Sequence, residues 1–187
     1  KPKLNILFTF LKMYGIIILK NYYNNEELDI ILNESNRILE EERDKEGISK
    51  DEKILHIEKY STYIKENFSN NSLFNSIFLK YTNINSNTKE TLLNKIFYEE
   101  GKIKNSGDGW HRDDHGKQFK SIMYLSNVNI NNGNFQFITN STKEHIEYPK
   151  PTPEIEELLE KNKICKLHNI TGETGTIIIV DTTYIHR

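Results

Sequence analysis

Residues 107–115 read GDGWHRDDH and contain a His-x-Asp pair, His111 and Asp113, in a glycine-rich setting. Far along the chain, residues 175–186 read GTIIIVDTTYIH, an apolar run followed by a second histidine, His186. In an extended chain, residues two apart point to the same side, so His111 and Asp113 can reach one ion while the residue between them points away. His186 must then come from another strand, and the two stretches predict strands that meet at a metal.

The types of donor indicate which metal this would be. Two imidazoles and one carboxylate form the facial triad of non-haem Fe(II) oxygenases, which leaves three positions open for a cosubstrate and O2. A fully closed set of ligands would indicate a structural site instead. The sequence therefore predicts that His111, Asp113 and His186 are catalytic residues that bind one ferrous ion.

Three alternatives compete with this interpretation. His-Arg-Asp occurs in the catalytic loop of protein kinases, but that loop requires Asn five residues after the Asp, where Gln118 stands. His111 and His115 have the spacing of a zinc-protease helix, but that motif requires Glu where Arg112 stands, and the nearby glycines disfavour a helix. A barrel that binds metal without catalysis, such as a sensor, stays open.

Blocks on both sides of the metal stretch resemble the phytanoyl-CoA dioxygenase-like family of Fe(II)/2-oxoglutarate-dependent oxygenases. These blocks are residues 110–113, 118–128 and 132–138, and residues 175–186 resemble the family's distal-histidine strand. The resemblance covers about residues 92–187 well and the N-terminal third loosely. The order and spacing of the blocks carry it, rather than any single block.

The resemblance implies a fold and an activity. The expected fold is mainly β with α, a double-stranded β-helix (a cupin-like jelly roll) with a helical N-terminal layer. The expected activity is a dioxygenase, an oxidoreductase that hydroxylates a C–H bond of a small-molecule substrate and releases succinate and CO2. Its expected cofactors are Fe(II) and 2-oxoglutarate, with ascorbate as a further candidate. Halogenating relatives lack the carboxylate, so the presence of Asp113 favours hydroxylation.

Two residues are candidates for binding the distal carboxylate of 2-oxoglutarate. Lys120 shares a strand face with Ile122 and Tyr124, and it could form a charge-assisted hydrogen bond if that face looks into the barrel. Tyr98 is the second candidate. The alternative for both residues is a side chain that faces solvent and binds no cosubstrate.

The family's usual carboxylate anchor is an arginine on the strand that follows the distal histidine. Here Arg187 directly follows His186, and neighbours on a strand point to opposite faces, so Arg187 is expected to face away from the iron. Residues 1–187 are therefore expected to form a single oxygenase domain that lacks its C-terminal strand or strands. A further departure is that residues 140–142 read NST where the family usually has Gly-Ser-His, so no role is expected for a histidine there. Asp181 is expected to form a turn or to accept a hydrogen bond behind the ligands rather than to bind metal.

Composition limits the class of protein. The 187 residues fit one domain, and 28% charged residues with no apolar run near 18 residues predict a globular chain without a membrane span. No secretion signal is expected, and the single Cys165 excludes an intramolecular disulfide framework, which suits a reducing cytoplasm. A net charge of −2 without a basic or aromatic groove disfavours nucleic acid as a partner or as the hydroxylated substrate. The expected partners are a small-molecule substrate and O2, and the expected state is a monomer.

Hydrophobic periodicity predicts helices followed by many short strands, as in a barrel or sandwich. A first helix should begin at Leu4 and end at Gly15, and Asn24 with Glu27 should cap a second one. Helical stripes also predict a helix over residues 73–81 and a short one after Pro153. The predicted strands are residues 16–19, 53–59, 95–99, 119–128, 135–138, 164–170 and 176–180. The turn at 131–134 should return strand 119–128 into strand 135–138 as an antiparallel hairpin.

Overall fold

The computed structural model describes residues 3–43, 52–85, 90–96, 109–113, 118–142 and 155–187. The helices are α1 (Leu4–Tyr14), α2 (Asn25–Arg43), α3 (Thr62–Ile64), α4 (Ser72–Thr82) and α5 (Ile155–Lys161), with a 3-10 turn at Ile57–Lys59 and a π turn at Lys65–Ser69. The strands are β1 (Ile16–Leu19), β2 (Glu52–Leu55), β3 (Leu92–Lys95), β4 (Lys120–Met123), β5 (Phe135–Thr139), β6 (Lys166–Ile170) and β7 (Ile177–Val180). Within these residues, no helix is both long and apolar enough to cross a membrane.

The central strand of the first sheet is β7, which pairs antiparallel with β1 on one side and β4 on the other. Its side chains are buried on both faces. Ile177 and Ile179 pack against the helices, whereas Ile178 and Val180 pack against the second sheet. A strand covered on both faces needs an unbroken apolar run rather than alternation, which is why its sequence reads IIIV.

The N-terminal helical layer covers the outer face of this sheet. Leu7 and Leu11 of α1 and Phe74 and Ile77 of α4 form one buried cluster with strands β1 and β7. The expected end of α1 is confirmed, because Gly15 follows the helix in a left-handed conformation and its amide bonds back to the last turn.

The cap of α2 is also confirmed. The Asn24 side chain accepts a hydrogen bond from the Glu27 amide at 2.9 Å, and the Glu27 carboxylate accepts one from the Asn24 amide at 2.9 Å. This reciprocal pair satisfies two backbone donors that the start of a helix leaves free.

The second sheet is built from β5, β6 and two short extended segments. Strand β5 pairs antiparallel with β6, and on its other side Phe137 forms a β-bridge to His186. His186 in turn bridges antiparallel to His111. The sheet therefore runs from β6 through β5 and the segment 184–187 to the segment 109–113. Phe137 and Ile170 of this sheet pack against β7 of the first.

A third antiparallel pair, β2 with β3, lies against α2 and the turns that follow β2. Its buried cluster consists of Ile38, Ile54, Ile57, Ile64 and Leu93. The described residues thus form helices and antiparallel sheets, as the sequence predicted, although more of them lie in helices than in strands.

Two predicted strands differ in extent from the observed ones. The strand predicted at 53–59 ends at Leu55, because His56 adopts a left-handed conformation and the chain continues as a 3-10 turn. The strand predicted at 95–99 overlaps the observed β3 only at Lys95, and Ile96 lies in no strand; residues 97–99 lie outside the described part of the chain.

The strand predicted at 119–128 is also shorter, and its expected hairpin is wrong. Regular pairing covers only β4, after which the chain bends at Leu125 and Ser126. Strand β4 pairs with β7 and β5 pairs with β6, so the turn after residue 129 carries the chain from one sheet to the other. Both strands instead find partners far away in the sequence.

Substitution of Gly15 tests the contact between the end of α1 and the segment that carries His186. A Cβ at Gly15 would lie 2.6 Å from the Tyr184 ring, and φ is +75°. Gly133 is a matched control, because its φ is +82° but no atom of the described residues lies within 4 Å of the place that a Cβ would take. We expect Gly15→Ala to lower the free energy of unfolding by about 2–4 kcal/mol and Gly133→Ala by only about 1–2 kcal/mol, measured in urea. Equal costs would show that Tyr184 moves aside freely.

Candidate metal centre

The two histidines lie opposite each other on neighbouring antiparallel segments. The His111 amide donates to the His186 carbonyl at 3.0 Å, and the His186 amide donates to the His111 carbonyl at 3.0 Å. Residues paired in this way project their side chains from the same face of a sheet. The ring centroids are accordingly 4.4 Å apart.

Asp113 completes the group from the same segment as His111. Its amide donates to the Thr182 carbonyl at 3.1 Å, which ties it to the turn before His186. Asp113 Oδ1 lies 3.5 Å from His111 Nε2 and 3.9 Å from His186 Nε2. One ligand atom from each residue lies within 4.8 Å of the others, and no other such group of three occurs among the residues described.

Hydrogen bonds set the tautomer of each ring. His111 Nδ1 lies 2.8 Å from the Gly109 carbonyl oxygen, and His186 Nδ1 lies 2.9 Å from the Tyr184 carbonyl oxygen. A carbonyl oxygen only accepts, so Nδ1 carries a proton in both rings, and Nε2 holds the lone pair whenever a ring is neutral. Both lone pairs are therefore available on the side where Asp113 lies, which is how metal-binding histidines are usually held.

The charge states of the group also suit a cation. Burial lowers the pKa of His186 to about 4, so its imidazole is neutral near pH 7. Burial on its own raises the pKa of Asp113, but contacts with His111, Lys120 and Thr182 outweigh it and hold that pKa below its usual range. A neutral imidazole and an ionised carboxylate are the forms that bind metal.

The separations fit one metal ion. Three donors about 2.1 Å from an ion and at right angles to one another lie about 3 Å apart. The separations between Asp113 Oδ1 and the two Nε2 atoms are close to that value and require only small side-chain movements. Chemistry and geometry thus agree with the expectation that His111, Asp113 and His186 form one donor set.

The turn that brings His186 to the site depends on Asp181. This buried carboxylate accepts hydrogen bonds from the Thr183 amide at 2.9 Å and the Thr183 hydroxyl at 2.7 Å, and from the Tyr81 hydroxyl at 2.5 Å. Burial and the bond to Asp181 raise the pKa of Tyr81 above its ordinary value, so the hydroxyl stays a donor. Asp181 therefore forms a turn, as the sequence predicted.

Sequence reasoning missed the buried contacts behind the donor set. The fully buried Ser141 donates its hydroxyl to the Ile138 carbonyl at 2.6 Å and accepts the Ile185 amide at 2.8 Å. Its own carbonyl accepts two hydrogen bonds from the Arg112 guanidinium, at 3.1 and 2.5 Å. Arg112 therefore does point away from the donor set, and it joins the His111 segment to the end of β5.

Residue Asn140 adopts a left-handed conformation with φ of 56°. Glycine adopts this conformation most easily, and asparagine is one of the few other residues that tolerate it. Asn140 can thus hold this turn in place of the glycine that the resemblance led us to expect.

The candidates for binding a carboxylate have different positions. Lys120 lies beside the three candidate ligands, with Nζ 2.5 Å from Asp113 Oδ2. Ile122 and Tyr124, on the same strand face, point into the space between the two sheets. Arg187 turns away, as expected, because it donates to the Gln136 side chain and its guanidinium lies 4.6 Å from the centre of the Trp110 ring. Tyr98 lies outside the described residues.

The sequence matches no protein-family model and no curated protein sequence. Solved structures do resemble the fold. EctD from S. alaskensis with 2-oxoglutarate and 5-hydroxyectoine superposes with a TM-score of 0.72 at 16% identity, over 97% of this chain and 68% of that chain. The same protein with bound Fe gives a TM-score of 0.68 at 16% identity, over 97% and 69%.

Two further structures carry the comparison beyond one protein. The epimerase SnoN in complex with Fe3+, α-ketoglutarate and nogalamycin RO gives a TM-score of 0.65 at 14% identity, over 98% of this chain and 75% of that chain. HygX from Streptomyces hygroscopicus with nickel and 2-oxoglutarate bound gives 0.59 at 12% identity, over 99% and 79%. At these identities the likeness establishes that the chain shares their fold.

Proposed function

We propose that the protein is an Fe(II)/2-oxoglutarate-dependent dioxygenase that hydroxylates a C–H bond of a small-molecule substrate and releases succinate and CO2. The observation that carries the proposal is the convergence of His111 Nε2, Asp113 Oδ1 and His186 Nε2. Proteins of the same fold are described with Fe and 2-oxoglutarate bound, which supports the choice of metal and cosubstrate. We further infer that the two facing sheets form the double-stranded β-helix of the phytanoyl-CoA dioxygenase-like enzymes.

The donor set defines which residues would hold the metal. His111, Asp113 and His186 would bind it from one side, which leaves the opposite positions free for a cosubstrate and O2. Bound iron supplies the redox chemistry that couples decarboxylation of 2-oxoglutarate to oxidation of the substrate.

The rest of the site orients these donors and limits access by water. The carbonyl oxygens of Gly109 and Tyr184 hold the two rings, and the Asp181 turn holds the segment that carries His186. The Phe135 ring lies 5.6 Å from the His186 ring and forms an apolar wall beside it. Such a wall excludes water from one side of the reacting groups.

Other features of the proposal come from the sequence. The roles of Lys120 and Tyr98 in binding 2-oxoglutarate, the use of ascorbate, the monomeric state and the cytoplasmic location stay predictions. The small molecules bound in the neighbouring structures, 5-hydroxyectoine and nogalamycin RO, differ from one another, so the proposal specifies a small molecule and not a particular compound.

Turnover of the cosubstrate tests the proposed function. We expect the protein to release succinate from 2-oxoglutarate when supplied with Fe(II), ascorbate and O2 alone, because such oxygenases turn over slowly without their substrate. His111→Ala, prepared in parallel, should release no more succinate than a protein-free control. If the wild-type protein binds Fe(II) but its succinate release does not exceed that of His111→Ala, the non-catalytic metal-binding alternative is correct.

A further inference from the structure

The two oxygens of the Asp113 carboxylate have different partners. Oδ1 faces both imidazole Nε2 atoms, at 3.5 and 3.9 Å. Oδ2 points the other way, and Lys120 Nζ lies 2.5 Å from it. One oxygen is thus directed at the candidate metal position and the other is engaged by an ammonium group.

The position of Lys120 makes this contact a bridge between the two sheets. Lys120 is the first residue of β4, where it pairs with Val180 at the end of the central strand of the first sheet. Asp113 belongs to the outer segment of the second sheet. The backbone of each partner is therefore held independently, and the ion pair fixes how the carboxylate is turned relative to both histidines.

We propose that Lys120 is a positioning residue that holds Asp113 as a ligand through one oxygen. This inference rests on the proposed metal site. Without a partner on Oδ2, the carboxylate is free to rotate about its terminal bond, and Oδ1 is no longer held toward the two Nε2 atoms. The ammonium group of Lys120 opposes that rotation.

Two electrostatic effects of Lys120 on a bound cation have opposite signs. Its charge repels the cation, whereas its contact with Oδ2 orders the ligand. The Lys120 side chain is 49% exposed, so water and salt screen the repulsion. Ordering therefore dominates, and loss of an outer partner of a metal ligand typically lowers metal affinity by about 10–100-fold.

The test compares three variants by anaerobic titration with Co(II), a redox-stable probe for Fe(II), in the absence of 2-oxoglutarate. Lys120→Met removes the charge and the donor, and Lys120→Arg retains both. Lys166→Met is the matched control, because Lys166 is an exposed strand lysine on β6. Far-UV circular dichroism and the urea midpoint of each variant establish that it is folded.

We expect Lys120→Met to bind Co(II) at least about 10-fold more weakly than the wild type, and Lys120→Arg and Lys166→Met to bind within about 3-fold of it. Unchanged or tighter Co(II) binding by folded Lys120→Met would overturn the inference. So would a loss in Lys120→Met that appears only in a second titration, of the Co(II)-loaded proteins with 2-oxoglutarate, which would make Lys120 a cosubstrate anchor instead. Failure of the wild-type protein itself to bind Co(II) would overturn the proposed function as well, so the two failures are distinguishable.

Discussion

Alanine at His111, Asp113 or His186 is expected to lower the affinity of the protein for Fe(II) or Co(II) by more than about 100-fold. Each residue supplies one of three donor atoms that lie within 4.8 Å of one another. Loss of even an outer partner of a ligand typically costs about 10–100-fold, and loss of a ligand should cost more. Anaerobic titration followed by metal analysis after desalting measures the effect, and succinate release should disappear in the same variants.

His168→Ala is the matched control for this series. His168 is exposed on β6, where its imidazole contacts the Thr139 hydroxyl. The His168→Ala variant should bind metal with the same affinity as the wild type. If one of the three alanine variants keeps the wild-type stoichiometry and affinity, that residue is not a ligand.

Asp113→Glu provides a stricter test of the same site. It retains the carboxylate and its charge but adds one methylene, which displaces the donor from a site that tolerates only about 0.2 Å. The geometry leaves little room for such a shift, because Asp113 is held between the two rings and Lys120. We expect metal binding to fall by an amount close to that of Asp113→Ala. Wild-type affinity in Asp113→Glu would show that the site adapts to its ligands.

Phe137→Ala is expected to lower the free energy of unfolding by about 3–5 kcal/mol. Phe137 is completely buried and lies in the cluster that joins the two sheets, together with Ile178 and Val180. Its ring also packs against Tyr184, with centroids 5.1 Å apart, on the segment that carries His186. This loss of unfolding free energy combines lost apolar contact with a cavity that the flanking strands cannot close. Urea denaturation measures the loss.

Ile130→Ala separates this effect from a general loss of apolar surface. Ile130 is 67% exposed in the turn between β4 and β5, so its truncation should change stability by no more than about 0.5 kcal/mol. Phe137→Ala should also weaken metal binding, since it loosens the pairing with His186. A loss of less than about 1 kcal/mol in Phe137→Ala would mean that the two sheets are held together elsewhere.

Local features of the chain could be predicted from the sequence because their causes act over a few residues. The spacing of His111 and Asp113 places two donors on one side of an extended segment, and the Asn24–Glu27 pair caps α2. The run of apolar residues at 176–180 predicts a strand, which is observed as β7. These features depend on backbone geometry and on hydrophobicity.

Strand pairing could not be predicted in the same way. The Asn-Gly turn favours a local hairpin, yet β4 pairs with β7 and β5 pairs with β6, and the two strands contribute to one buried cluster from different sheets. The end of β2 before His56 could not be predicted from the sequence either. A left-handed conformation there costs about 1–2 kcal/mol, which only the surrounding packing can offset.

Some features of the candidate site could likewise be predicted from the sequence, and others could not. Its three candidate ligands could be recognised from residue type, spacing and resemblance, since those depend on the chemistry of the metal. The position of Lys120 on Asp113, the Ser141–Arg112 contact and the two histidine tautomers depend on segments far apart in sequence that meet only when both sheets form. The amino-acid sequence by itself determined which donors are available, whereas the tertiary structure alone decided how they are held, because side-chain orientation is set by packing partners that no local pattern encodes.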